Sequence, residues 1–310
     1  MTKLKLIFFG TSEFSEVILD SLTKAGYNIA GVFTRPDQKV GRRQEWQKTP
    51  VKIMAEKNGI PVFDPAKLDS TSLEQIGNLA PDMIITAAYG KIIPQSILDI
   101  PEFGAINVHP SLLPKFRGPS PIQNALLSGE KETGTTIMLM DAGMDTGDIL
   151  MQKSISIGQA DILPELLQKL AVLSAELLLE TIPLWIEGKI KPRKQNNSEA
   201  TFCRMIEKED GKIDWRETAQ SIYNRYRAFY PWPGIFTIWN GKRIKLNKIS
   251  LAKNSQEKRP TGKVFEFDGK IAIQTKERVI ILEELQIEGR PNIKAMDFIN
   301  GYKKFIGSIL

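Results

Sequence analysis

The sequence predicts an α/β protein, with a mostly parallel, doubly wound sheet followed by a smaller unit of short strands. Three observations lead to it. Through about residue 160, apolar runs of strand length alternate with helix-length segments, the βαβαβαβ order of a parallel sheet. Hydrophobic periodicity then lapses between Gly188 and Arg204. Beyond it the chain breaks into short β-rich runs separated by turn pairs such as Asn240-Gly241 and Asp268-Gly269. At roughly 150 residues per domain, a chain of 310 residues fits two domains. The division suggested is 1–188, a linker over 189–205, and 206–310.

Leu4–Phe9 is a continuous apolar run ending at Gly10, as a strand buried on both faces should be. Thr11 or Ser12 can cap a helix that runs to about Lys24. Ile29–Phe33 is the next strand. Val51–Lys57 reads as a helix, Pro61–Phe63 as a short strand and Ser72–Gly77 as a helix. Met83–Ala88 and Ala105–His109 are strands, with a short helix near Pro94–Leu98 between them. Pro121–Leu127 is helical, and Thr135–Asp141 and Asp148–Ile157 are strands joined by a glycine-containing loop. Leu163–Ile186 is apolar but broken by Glu165, Lys169, Glu176 and Glu180. With Leu163, Leu166, Leu167, Leu170 and Leu177 on one face, it reads as an amphipathic helix and not as a membrane span. Tyr223–Phe229 is a helical piece ended by Pro231-Trp232-Pro233-Gly234. Ile235–Trp239, Arg243–Ile249, Gly262–Glu266, Lys270–Gln274 and Val279–Leu285 then suggest a small barrel of the OB type. A helix near Lys294–Gly301 follows.

Composition removes several functions. Cys203 is the only cysteine, so no intrachain disulfide and no multi-cysteine metal site can form. His109 is the only histidine, which excludes a site built on two or three histidines; no metal is expected. Such cysteine usage fits a reducing cytoplasm. The apolar run Leu6–Phe9 is too short for a signal peptide, and no membrane association is expected. The net charge of +6 is uneven: residues 1–205 hold 22 basic and 23 acidic side chains, residues 206–310 hold 20 and 13. A basic last third hints at a polyanionic partner, or serves solubility.

The strand–glycine–helix opening is not a dinucleotide site. Gly10-Thr11-Ser12-Glu13-Phe14-Ser15 lacks two of the glycines of G-x-G-x-x-G, and Glu13 and Glu16 in the first helical turn would repel a pyrophosphate.

Chemistry concentrates in two segments. In Gly104-Ala105-Ile106-Asn107-Val108-His109-Pro110, period two puts Asn107 and His109 on one face near the end of a buried strand. Ligands of open parallel sheets bind beyond such ends. Either residue alone reads as a capping Asn or a hydrogen-bonded core His; the pair points to a site. Asp141-Ala142-Gly143-Met144-Asp145-Thr146-Gly147-Asp148 sets three acids in a loop between strands. A solvated turn has the same composition, and spacing alone does not say which acid faces a site.

Taken together, Asn107-Val-His109-Pro-Ser111-Leu112-Leu113-Pro114 and Asp145-Thr-Gly-Asp148 resemble the signature of the folate-dependent formyltransferases. The likeness extends over essentially the whole chain. It includes Ile7-Phe8-Phe9-Gly10-Thr11, Thr34-Arg-Pro-Asp37 through Gly41-Arg42, Ala88-Tyr89-Gly90 and Phe229-Tyr-Pro-Trp232-Pro. The chain departs from the family in carrying Pro110 after its His. The resemblance implies a Rossmann-like first domain and an OB-like second. It implies Asn107, His109 and Asp145 as catalytic residues, and Ser111, Leu112, Leu113 and Pro114 as folate-binding, with the nearby Tyr89–Gly90 turn. It implies 10-formyltetrahydrofolate as co-substrate, with no tightly bound cofactor.

Elementary chemistry supplies roles. Amine attack on the formyl carbon makes a tetrahedral oxyanion to which the Asn107 amide can donate. His109 can move protons near neutral pH. Asp145 would orient or charge-stabilise the imidazole, or pass the proton through water. The acceptor is not fixed by these three residues, since relatives formylate glycinamide ribonucleotide or amino-sugar nucleotides. Two features favour initiator methionyl-tRNA, as used in translation initiation. The Arg35–Thr49 connection is longer than the usual ~2–6 residues. From Arg35 to Lys52 it carries Arg35, Lys39, Arg42, Arg43, Lys48 and Lys52 against Asp37 and Glu45, with Trp46 to stack, and it resembles the family's acceptor-stem loop at Arg42. The second feature is the basic C-terminal unit, where Lys245 and Lys248 are candidate RNA contacts. A monomer is expected.

Overall fold

The structure is a computed structural model describing residues 4–41, 44–252 and 259–310. The chain divides into two units: residues 1–121, 132–156 and 166–204 form the first, and residues 122–131, 157–165 and 205–310 the second.

The first unit runs β1 (Lys5–Gly10), α1 (Glu13–Lys24), β2 (Asn28–Phe33), β3 (Gln38–Val40), β4 (Glu45–Gln47), α2 (Pro50–Lys57), β5 (Val62–Phe63), α3 (Ser70–Leu79), β6 (Met83–Ala87), α4 (Gln95–Leu98) and β7 (Ala105–His109). After α5 (Pro121–Leu127) come β8 (Glu132–Leu139), β9 (Ile149–Ser156) and α6 (Leu163–Ile186). Seven strands make one sheet in the order β5-β2-β1-β6-β7-β8-β9. The first five are parallel, as the alternating pattern predicts, and β8 and β9 extend the sheet antiparallel. Leu6, Ile7, Phe8 and Phe9 are wholly buried, which is why β1 reads as an unbroken apolar run. Phe9, Phe33 and Phe63 stack across β1, β2 and β5 with centroids 4.8 Å apart at each step.

Helix starts are pinned by short polar side chains. Ser12 caps α1, and Ser15 Oγ donates to the Ala87 carbonyl at 2.6 Å, tying the first helical turn to the end of β6. Thr49 caps α2 by accepting from the Lys52 amide at 3.1 Å, and its hydroxyl pairs with the buried Thr34 hydroxyl at 2.8 Å. The Arg35–Thr49 connection, read from the sequence as loop, contains a two-stranded ribbon of β3 and β4 with Lys39 opposite Trp46. Its runs are three residues long, too short to show an alternation. Lys52 Nζ fastens the base of this excursion with two 2.8 Å ion pairs, to Asp37 and Asp64. Those two hydrogen-bonded carboxylates raise the Lys52 pKa above its ordinary value.

The stretch 189–205, expected to be a linker, is held to the first unit as far as Arg204. Arg193 forms a β-bridge with Ile149, Arg117 bridges Phe202, and the Cys203 amide donates to the Arg117 carbonyl at 2.8 Å. Its bonds are backbone bridges and polar side chains, which hydrophobic periodicity does not register.

The second unit holds α7 (Ala219–Phe229), β10 (Ile235–Trp239), β11 (Lys242–Leu251), β12 (Val264–Phe267), β13 (Lys270–Gln274), β14 (Val279–Ile287), β15 (Ile293–Lys294) and α8 (Ala295–Gly301). An antiparallel sheet runs β10-β11-β14-β13-β12, with β15 on β14. Trp239 at the end of β10 forms an aromatic cluster with Phe298 of α8 and with Tyr302 and Phe305 just after it. Residues 122–131 and 157–165 group here in contrast to the 1–188 division. Buried Arg227 accounts for the second of these, donating from Nη2 to Gly158 O at 2.7 Å and from Nε to Asp161 O at 2.8 Å. No helix among the described residues is long and apolar enough to cross a membrane.

Two outcomes follow from these anchors. Thr49→Ala should lower the unfolding free energy by about 1–2 kcal/mol, since it removes a cap and strands the Thr34 hydroxyl; urea midpoints measure it. The Lys52 pairs contribute fully below the lysine's ordinary pKa of about 10.4 and are lost as pH rises through the higher folded-state value. The gap between wild-type and Lys52→Met midpoints should therefore be open near pH 8 and close in strong alkali.

Candidate active site

β7 is fixed between β6 and β8, so its side-chain alternation is set by the sheet. Ile106 and Val108 are buried on one side, and Asn107 and His109 share the other. The loop between β8 and β9 leaves the sheet low: Met140 N donates to Ala105 O at 2.8 Å. It then turns back over the face that carries Asn107 and His109. Asp145 within it takes a left-handed backbone, φ 54°. Asp145 Oδ1 accepts from Asn107 Nδ2 at 3.2 Å and lies 3.6 Å from His109 Nδ1. Oδ2 accepts from the Gly118 amide at 2.8 Å. The three side chains thus converge on the face of β7 near its end, whereas the parallel-sheet rule points beyond the end. The antiparallel β8–β9 hairpin causes the difference, because its loop folds back along the strand.

The surroundings settle two choices that spacing leaves open. Of the three acids in the loop, Asp145 is the one whose carboxylate meets Asn107 and His109, while Asp141 spends its own on the turn, accepting from Thr146 Oγ1 at 2.7 and 2.9 Å and from Gly143 N at 3.0 Å. His109 Nε2 lies 3.0 Å from the Phe116 carbonyl, an acceptor only. Nε2 must therefore carry the proton, and Nδ1 is the nitrogen facing Asp145. At 3.6 Å the carboxylate is beyond hydrogen-bond reach of Nδ1.

The residues expected to bind folate divide. Gly90 is exposed, and Leu112 and Pro114 are half-buried. Ser111, Leu113 and Tyr89 turn their side chains into the protein. Ser111 Oγ donates to Lys115 O at 2.6 Å, and the Ser111 carbonyl accepts from Thr136 Oγ1 at 2.7 Å. Gln152 and Thr136 then brace Leu113, through its carbonyl at 2.8 Å and its amide at 3.0 Å. Tyr89 packs edge-on against Phe9, and burial pushes its hydroxyl up to about 12. Arg35 Nη2 donates to the Gly90 carbonyl, and a Cβ at Gly90, whose φ is +74°, would collide with that guanidinium. These bonds hold the shape of two turns in which Gly90, Leu112 and Pro114 are the residues left facing outward.

Cys203 is no nucleophile: it is buried, its Sγ lies 3.2 Å from Arg117 O, and burial raises its pKa. No group of three or more His, Cys, Asp or Glu among the described residues could hold a metal ion.

Arg42 and Arg43 lie outside the described residues. In the described part of the same connection, Lys39 sits over the Trp46 ring at 5.4 Å, and Trp46 is 69% exposed. In the second unit Lys245 is half-buried and Lys248 exposed. Lys248 pairs with Glu283 at 3.3 Å. Strict alternation from Arg243 would turn residue 248 inward. The register shifts on either side of Lys248 bury Ile249 instead and leave Lys248 outside. Sequence reading missed Arg117, Gly118 and Gln195, which surround Asp145; Gln195 lies in a polar stretch that offers no signal.

Comparison with known proteins agrees with this fold. Residues 3–182 match the formyl transferase family and residues 205–303 the formyl transferase C-terminal domain. The chain belongs to the formyltransferase family. It is 40% identical over 311 residues to the methionyl-tRNA formyltransferase of Geotalea uraniireducens, covering 100% of this chain and 99% of the relative. The same identity over 311 residues relates it to a methionyl-tRNA formyltransferase of Bacillus cereus, covering 99% and 98%. Among solved structures, the N-formyltransferase of Helicobacter canadensis in complex with folinic acid and dTDP-3-aminofucose has a TM-score of 0.68 at 23% identity, over 90% of this chain and 98% of that one. HypX of Aquifex aeolicus with tetrahydrofolic acid has a TM-score of 0.65 at 17% identity, over 98% of this chain and 48% of that one.

Proposed function

We propose that the chain transfers the formyl group of 10-formyltetrahydrofolate to the α-amino group of methionine on initiator methionyl-tRNA. The observation that carries this reading is the convergence of Asn107, His109 and Asp145 at one point on β7. Full-length identity of 40% to methionyl-tRNA formyltransferases supports the acceptor.

The amine nitrogen attacks the formyl carbon, and the carbonyl electrons move to oxygen. One Asn107 amide hydrogen is engaged by Asp145 and the other donates to that oxyanion; such a donor stabilises the transition state by ~3 kcal/mol. The nitrogen bond to the folate then breaks. The amine must lose a proton and the departing folate nitrogen must gain one. His109 Nδ1 handles this transfer, because Nε2 is committed to Phe116 O. General acid–base help of this kind is worth ~10²–10⁴-fold. The Asp145 charge favours the imidazolium formed in between. Gly90, Leu112 and Pro114 receive the folate. Arg42, Arg43 and the exposed Trp46 engage the acceptor end, and Lys245 and Lys248 the tRNA backbone. Lys248 exchanges a surface ion pair, worth little in water, for a phosphate.

The test is transfer of labelled formyl to methionyl initiator tRNA, with glycinamide ribonucleotide and an amino-sugar nucleotide in parallel. Preference for either small amine would overturn the acceptor. Asn107→Ala, His109→Ala and Asp145→Asn should each slow single-turnover transfer by ~10²-fold or more with the fold intact. Rates within a few-fold of wild type would remove the corresponding role. Reversing Lys245 and Lys248 to Glu should weaken tRNA binding and flatten its salt dependence, by a slope of roughly 0.7–0.9 for each phosphate no longer neutralised, while folate affinity holds. Unchanged tRNA affinity would take the dock away from these lysines.

A further inference from the structure

The Asp145 loop is held from a segment fifty residues further along the chain. Gln195 Nε2 donates to Asp145 O at 2.9 Å and to Gly147 O at 2.8 Å, spending both amide hydrogens on the loop backbone. Its Oε1 accepts from Arg117 Nε at 3.1 Å and Nη2 at 2.8 Å. A guanidinium has no acceptor, so Arg117 dictates which end of the Gln195 amide faces the loop. Arg117 is itself 3% exposed and fixed by a further bond from Nη2 to Asn197 Oδ1 at 2.8 Å. The next residue, Gly118, donates its amide to the Asp145 carboxylate. Arg117-Gly118 thus grips Asp145 twice, once at the carboxylate and once through Gln195 at the backbone. The grip answers a need: residues 141–144 are exposed, and Asp145 stands in a left-handed conformation that a non-glycine residue does not choose unaided.

We propose that Gln195, oriented by Arg117, is a positioning residue for formyl transfer. It clamps the backbone on either side of Thr146 so that the Asp145 carboxylate stays between Asn107 and His109. The proposal rests on the role given to Asp145 above. It assigns function to a segment whose sequence reads as linker.

The discriminating variant is Gln195→Glu. It keeps an acceptor for Arg117, so the buried guanidinium remains paired, but it turns an oxygen onto two carbonyl oxygens. Gln195→Met, of similar shape without polar atoms, is the second variant. For both, kcat should fall about 10- to 100-fold, as displacement of a reacting group by an ångström does, with KM for folate and tRNA within about threefold. The limb of the kcat–pH profile that Asp145→Asn alters should move in the same direction. In an Asp145→Asn background, adding Gln195→Glu should cost no more than about twofold, because a residue acting through Asp145 has nothing left to position. Full activity in Gln195→Glu, or additive losses in the double variant, would overturn the proposal. If Asp145→Asn alone is fully active, the failure lies with the assigned acid. If Asp145→Asn is slow and Gln195→Glu is not, it lies with the clamp. Thermal unfolding of each variant separates a lost fold from a lost geometry: a kcat deficit confined to variants with a lowered midpoint and an unmoved pH profile would also overturn it.

Discussion

The Asp145 carboxylate sits between a backbone amide and two side chains, and three separate stretches of the chain meet to keep it there. β7 supplies Asn107 and His109, the turn after Pro114 supplies Gly118, and residue 195 holds the backbone of the loop itself. A left-handed aspartate costs about 1–2 kcal/mol, which its neighbours offset with hydrogen bonds to both carboxylate oxygens and to the main chain. Gly118 is constrained in turn. Its φ is +111°, and a Cβ there would strike the Cys203 carbonyl oxygen. The lone buried cysteine matters here by packing and backbone position, and its chemistry is not used.

The sheet explains why such a meeting is possible. A purely parallel sheet brings only strand ends and the loops beyond them together. Adding the antiparallel β8 and β9 lets one loop run back along β7 and lay an acid over a mid-strand asparagine. His109 is thereby enclosed, at 4% exposed, while Gly90 is open and Pro114 half-buried.

Much of this was legible in the sequence, and the limits are physical. The buried strands announce themselves because every residue of Leu6–Phe9 is apolar, and Asn107 and His109 stand out because period two must pair them. Asp145 could not be separated from Asp141 and Asp148 by spacing, since all three suit a turn; side-chain geometry at Thr146 and Gly118 made the distinction. The β3–β4 ribbon was hidden by its shortness, and the outward turn of Lys248 by a bulge that shifts the phase of β11. Gln195 was silent for a different reason. Its contribution is two hydrogen bonds to backbone, and a polar residue in a polar stretch leaves no periodic trace. The likeness to a family singled out Asn107, His109 and Asp145, three side chains that meet on β7, but said nothing about what holds them.

The reach of residue 195 into the first unit has a consequence for synthesis of the chain. A nascent polypeptide that has emerged only to residue 190 already contains the whole seven-stranded sheet and all three site side chains. It still lacks the amide that fixes the Asp145 loop. Those two backbone bonds to the Asp145 loop can form only once translation has passed residue 195, shortly before synthesis of the second unit resumes at residue 205.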